Sequence, residues 1–310
     1  MTRIATANAY SAVLDNLMAA QQRQIDAGTQ VSSQKKATDL KGYAASAETL
    51  AALQSVQSSV NGYLDQSDVL SNKLSTQDLA LNQMADSANG ASQAIKDALA
   101  SGSGDTVMQA LQGYFQNAVG ALNTKFDGRY VFAGGQVNTQ PVTATSLSSL
   151  TSAPSIASLF KNDQYVTTNQ LDESTTIQSG FLADKLGTNL FNAFQAIEAY
   201  NQGPNGPFTG KLTQAQTTFL QGQIASFDTE GTNLTNVAGQ NGLMQNQVDS
   251  ANKDLTSRQT MLTELVGKIT DVDVAKAASD LQQAQFSVQA AAQVFASLKS
   301  SSLLNLLPSG

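Results

Sequence analysis

Asp271 and Asp273 are a closely spaced pair of carboxylates, and such pairs can move protons or hold a hard cation. A cation there needs more oxygen ligands than the surrounding segment offers. Thr270, Asp271 and Asp273 fall between two heptad runs, so they are expected to cap the last helix, where an aspartate meets the positive end of the dipole. Histidine, cysteine and tryptophan are absent from all 310 residues. A Ser-His-Asp arrangement is therefore impossible, as are thiol chemistry, disulfides and soft-ligand metal sites. A serine–lysine pair is compositionally available, yet no serine sits in a strained elbow. Gly134-Gly135 lacks the lysine and hydroxyl of a phosphate loop. Lys35-Lys36 is the densest positive spot and reads as a solvated turn offset by Asp39. Tyr10, Phe286 and Phe295 stand at helical spacings, where packing explains them. No catalytic, cofactor or metal residue is expected, and the chain reads as no enzyme.

The elements that carry these residues matter more than the residues do. Hydrophobic residues make up 41%, enough for a real core, whereas charged residues are only 13%. The surface must then be built from Gln, Asn, Ser and Thr, and its weak self-repulsion suits contact with further copies. A net charge of -7 with no basic cluster argues against nucleic acid. No stretch of 18 apolar residues predicts a spanning helix, and the opening MTRIATANAYSAVLDNL lacks a cleavable secretory pattern. The C-terminal helix has almost no cationic face, with Lys276 and Lys299 at opposite ends, so membrane insertion is not expected. Taken alone, these features read as cytoplasmic.

The five prolines stand at 141, 154, 204, 207 and 308, leaving two long proline-free arms. In the second arm, Leu234, Val237, Asn241, Met244, Val248, Ala251, Leu255, Arg258, Leu262, Leu265 and Ile269 alternate steps of three and four. A second seam follows through Val274, Ala277, Leu281, Ala284, Val288, Ala291, Phe295 and Leu298. The first arm carries Tyr10, Leu14, Leu17, Gln21, Gln24, Gly28 and Val31, then a helix of about 50 residues to Leu99. Asp105 is placed to cap the next helix. Arg129–Ala133, Gln164–Thr168 and Ser174–Gln178 read as short strands. The expected fold is mainly α with a small β insertion: a long antiparallel helical bundle or coiled-coil core built from both termini, plus an outer β-rich domain. Its boundaries are 1–133 for the N-terminal arm, 134–182 for the outer domain and 183–310 for the C-terminal arm. Residues 1–40 and 270–310 are expected to be weakly ordered in a free monomer, because alanine- and glutamine-rich seams bury little until other helices cover them. A plain helical bundle with one β insertion, or a monomeric binding module, fits the same pattern.

Both ends resemble the bacterial flagellin and hook-associated family. Asn8, Leu14, Leu17 and Gln24 are similar to its opening helix. Ile269, Asp271, Asp273 and Ala275 resemble its pre-helix segment, and Gln282, Gln285, Ala290, Phe295, Ser302, Leu303 and Leu304 its closing helix. Gly128-Arg129-Tyr130-Val131-Phe132-Ala133-Gly134 is similar to the entry into the outer domain of junction-forming members. The segment Ile25–Ser33 departs from the regular form of filament flagellins. The resemblance implies a secreted, extracellular subunit that joins hook to filament by self-association into a ring, with filament flagellin as the alternative. It also implies a hook-side hook-associated protein and filament flagellin as neighbours, and a chaperone and the flagellar type III export apparatus in transit. Tyr10, Leu14, Leu17, Val274, Leu281, Val288, Phe295, Leu298, Leu303 and Leu304 are the residues expected at the assembly interface.

Overall fold

The computed structural model describes the backbone of residues 2–304 and the side chains of 10–298. Seven α-helices and two short hairpins are present in it: α1 (Thr2–Ser33), α2 (Ala47–Ser101), α3 (Val107–Leu122), β1 (Lys125–Phe126), β2 (Arg129–Tyr130), α4 (Leu147–Ser152), β3 (Thr168–Gln170), β4 (Thr176–Gln178), α5 (Ala183–Gln202), α6 (Gln214–Thr270) and α7 (Val274–Leu304). The expected mainly helical class with minor β structure is what the chain adopts. Contacts divide it into a terminal unit, 1–59 with 258–310, and a central unit, 60–257.

In the central unit, α2 and α6 run antiparallel. Asn252 faces Asp68, Asn241 and Gln245 donate to the Leu74 carbonyl, and Asp228 accepts from Ser92 and Lys96. A hydrogen bond from Ser92, with Lys96 beside it, holds the Asp228 carboxyl below its ordinary pKa. The α2–α6 pair alone would leave its apolar edge open. α3 and α5 close it around Phe115, Phe191, Phe194 and Phe227, whose ring centroids lie 4.9–5.5 Å apart. Gly90 admits Tyr114 where a methyl group would collide with its ring, which lets α3 lie close on α2.

The β content is smaller than the sequence pattern predicts. Of Arg129–Ala133 only Arg129 and Tyr130 are strand, paired with Phe126 and Lys125, and the chain then turns at Gly134 with φ +67°. Val131, Phe132 and Ala133 instead enter the helical core, because an apolar run beside an open bundle gains more from burial than from a ladder. Val142, Leu147, Leu150, Ile156 and Phe160 join the same core. The β3–β4 hairpin places Leu171 and Ile177 against Leu70, Leu74 and Val248. Asp172 closes its tip by accepting from the Ser174 and Thr175 amides, chiefly the former, which lowers its pKa to about 2.

Asp105 does not cap α3. Thr106 occupies that position, and Asp105 accepts instead from the Gly210 amide at 2.6 Å and from Ser103. It thereby ties the α2–α3 turn to the loop before α6, alongside Gly104 N–Gly210 O at 2.8 Å and Leu212 N–Gly102 O at 2.9 Å. A partner more than 100 residues away outcompeted the local amide.

Candidate assembly interface

In the terminal unit, α1 packs along α7 in antiparallel fashion. The Tyr10 and Phe295 rings meet at 5.0 Å near one end, and Gly28 lies under Leu281 near the other, where a methyl group on Gly28 would sit 3.9 Å from Leu281 Cδ1. On α7 the inward residues are Ala277, Leu281, Ala284, Val288, Ala291, Phe295 and Leu298. They are the expected seam without Val274, which stands 45% exposed. On α1 the inward residues are Tyr10, Val13, Leu17, Ala20, Gln24, Ala27, Gly28 and Val31. Of the alternate positions in the sequence reading, Gly28 stays half-buried against Leu281, whereas Leu14 and Gln21 are exposed. The helix is turned so that Ala20 and Ala27, buried at 2% and 7% exposure, face inward. Small side chains there let two alanine-rich helices approach closely, and leucine at 14 would hold them apart.

The pair has seams but little depth. Most inward positions are half-buried, and only Ala20, Ala27, Ala277 and Ala284 are buried among the described side chains of α1 and α7. Leu14, Met18 and Ile25 on α1, with Val274, Phe286 and Val294 on α7, face outward. Ile25 and Phe286 are 61% and 67% exposed, so these helices present apolar side chains on faces that no described residue covers. Of the expected interface residues, Tyr10, Leu17, Leu281, Val288, Phe295 and Leu298 are thus brought together, Leu14 and Val274 are not, and the side chains of Leu303 and Leu304 lie outside the described residues.

What holds the arm at its root was not legible as such. The two connectors, 34–46 after α1 and 271–273 before α7, pair antiparallel through Lys35 and Asp271, with Lys36 N–Thr270 O at 2.7 Å and Val272 N–Gln34 O at 3.1 Å. Lys36 Nζ donates to the Lys268 and Ile269 carbonyls at 2.9 and 2.8 Å, satisfying the last turn of α6 where the helix dipole is negative. Lys35 Nζ donates to Asp271 and to the Thr270 hydroxyl, which itself donates to Asp271 at 2.9 Å. The Lys35 bond first, then that from Thr270, lowers the Asp271 pKa. Lys35-Lys36 is therefore a clasp and not a solvated turn. Of the three expected caps, Asp273 alone acts as one, accepting from the Lys276 amide at 3.1 Å. Gln34 and Ala44 have φ of 57° and 44°, a region that side chains other than glycine adopt at a cost. The clasp must outweigh that strain.

Among the described residues no group of three or more His, Asp, Glu or Cys side chains is placed to hold a metal, and no helix is long and apolar enough to cross a membrane. Fold and helix pairing define a class: a helical protein whose two end helices pair into one arm that exposes apolar side chains on its outer faces. Comparison with known proteins narrows it. Residues 224–307 match the family described as the bacterial flagellin C-terminal helical region. A Vibrio parahaemolyticus protein provisionally described as flagellar hook-associated superimposes with a TM-score of 0.58 at 14% identity, covering 72% of this chain and 96% of its own. Bacillus cereus FlgL superimposes with a TM-score of 0.54 at 15% identity, covering 70% and 99%. At that identity the two structures establish the fold. No curated protein matches at the level of sequence. Residues 224–307 are thus similar to the flagellin C-terminal helical region, and the fold is shared with the two hook-associated structures.

Proposed function

We propose that this protein is a structural subunit of the flagellum, exported from the cell, that joins hook to filament by self-association of its terminal arms. The observation that carries the reading is the α1–α7 pair: closed on itself by the Lys35–Asp271 clasp, shallow in its own seam, and apolar on its outer faces. Such an arm gains most of its burial from neighbouring arms. The likeness to hook-associated structures favours the junction over the filament. The family match at 224–307 is the specific ground for the second reading, filament flagellin.

In this reading Leu14 and Val274 contact other subunits, and Leu281, Val288 and Phe295 set the arm that presents them. Residues 134–182 supply outward surface between the arms 1–133 and 183–310. The terminal segments 1–40 and 270–310 become fully ordered on neighbours. A ring of copies adjoins a hook-side hook-associated protein below and flagellin above, after transit with a chaperone through the export apparatus. The test is a strain lacking this chain. Hooks without attached filaments, with flagellin released to the medium, support the junction role. Filaments of normal length on every hook contradict it, and shortened filaments favour the second reading.

A further inference from the structure

A cleft of about 510 Å³ opens between α5 and α6 in the central unit. Its wall includes Asn189, Asn192, Gln223, Ser226, Thr229 and Glu230. Glu230 is 9% exposed, and Asn233 Nδ2 donates to its Oε1 at 3.1 Å. Among the described residues no lysine or arginine forms an ion pair with it. A carboxylate so withdrawn from water, beside an open cleft and without a counter-charge, is poised for a cation brought from outside. The amide groups of Asn189, Asn192 and Gln223 add acceptor oxygens on the same wall.

The same unit displays a cation of matching shape. The β1–β2 hairpin reverses at Asp127 and Gly128, with φ of 49° and 74°, and carries Arg129 exposed at its tip. Lys125 beside it lies over the Tyr130 ring at 4.5 Å, whereas Arg129 makes no ion pair among the described residues. Arg23 donates to the Ala19 carbonyl, and Arg258 stands within the long helix α6, whereas Arg129 is carried at a hairpin tip. A guanidinium can bind one carboxylate through two N–H groups and still donate its remaining N–H groups to amide oxygens.

We propose that the α5–α6 cleft receives Arg129 of a second copy, Glu230 being its ion partner. Used once per copy the contact propagates head to tail into rings or helices, and used reciprocally it closes a pair. It rests on the self-association proposed above and adds a subunit contact that the terminal arms do not make.

The absence of cysteine makes disulfide trapping specific. Full-length Asp127→Cys chains, which keep Arg129 on the same hairpin tip, are mixed with full-length Thr229→Cys chains, oxidised under assembling conditions, and resolved without reductant. Thr229 is exposed on the cleft wall, so its replacement should leave the fold intact, which circular dichroism checks. The expected result is a mixed disulfide dimer whose yield falls at least about tenfold when Glu230→Lys is added to the Thr229→Cys chain. Self-association by sedimentation without the mixed dimer, or with a yield unchanged by Glu230→Lys, overturns the cleft contact and leaves the arm reading standing. Absence of any self-association overturns both.

Discussion

The Gly28–Leu281 contact offers a perturbation that can be run in both directions. Gly28 lies inside α1, where glycine costs about 0.5–1 kcal/mol relative to alanine. An added methyl group would stand 3.9 Å from Leu281 Cδ1, an ordinary contact, so Gly28→Ala recovers that cost without strain. Leu281 is half-buried, so its truncation to alanine should remove about 1–2 kcal/mol, less than the roughly 2–5 kcal/mol of a fully buried leucine. Leu281→Asp adds a charge to a close helix pair and should cost more. Hydrogen exchange of α1 and α7 amides in the free chain reads the opening of the arm directly. Gly28→Ala should slow it roughly two- to fivefold, and Leu281→Ala should speed it roughly five- to thirtyfold, from those energies. Leu281→Asp should also prevent incorporation into hook–filament structures. Exchange unchanged in both helices, or normal incorporation of Leu281→Asp, would refute the pairing of these faces.

Three more outcomes follow from particular groups. Lowering pH should loosen the clasp: the folded pKa of Asp271 lies below its ordinary 3.8, so its contribution is present above 3.8 and is lost as pH falls through the lowered value. Asp271→Asn should abolish that acid dependence in arm exchange, and its persistence would count against the clasp. Asn241 is fully buried with Nδ2 on the Leu74 carbonyl and Oδ1 unpartnered, so Asn241→Leu should raise the denaturation midpoint by roughly 1 kcal/mol equivalent while relaxing the α2–α6 register. A clear loss of stability would show that the amide holds more than register. Phe194→Ala removes the ring that joins Phe115 to Phe227 and should cost about 3–5 kcal/mol in urea unfolding of the central unit.

The α7 seam was readable because its large and small residues alternate in one register, whereas the apolar Phe286 and Val294 on the outer face fall outside that spacing. α1 has two candidate faces, one with Leu14 and one with Ala20 and Ala27. Hydrophobicity points to the leucine, and the close approach of the helices decides for the alanines. The same one-position ambiguity affects the end of α6, where Arg258 and Leu265 are exposed and Gln259 and Val266 face inward. Local reading also failed where the partner is remote in sequence: Lys35 and Lys36 meet Thr270 and the end of α6, and Asp105 meets Gly210. The apolar run at Val131–Ala133 has strand propensity and was drawn into the aromatic core once α3 and α5 left a place for it.

The most direct test of the account is immunogold labelling of intact hook–filament structures, with antibody raised against an exposed segment such as the β3–β4 hairpin tip at Asp172–Thr175. The account predicts label confined to the distal end of the hook. Label along the whole filament would assign the chain to the filament instead, and absence of label from hook, junction and filament would contradict an assembled role altogether.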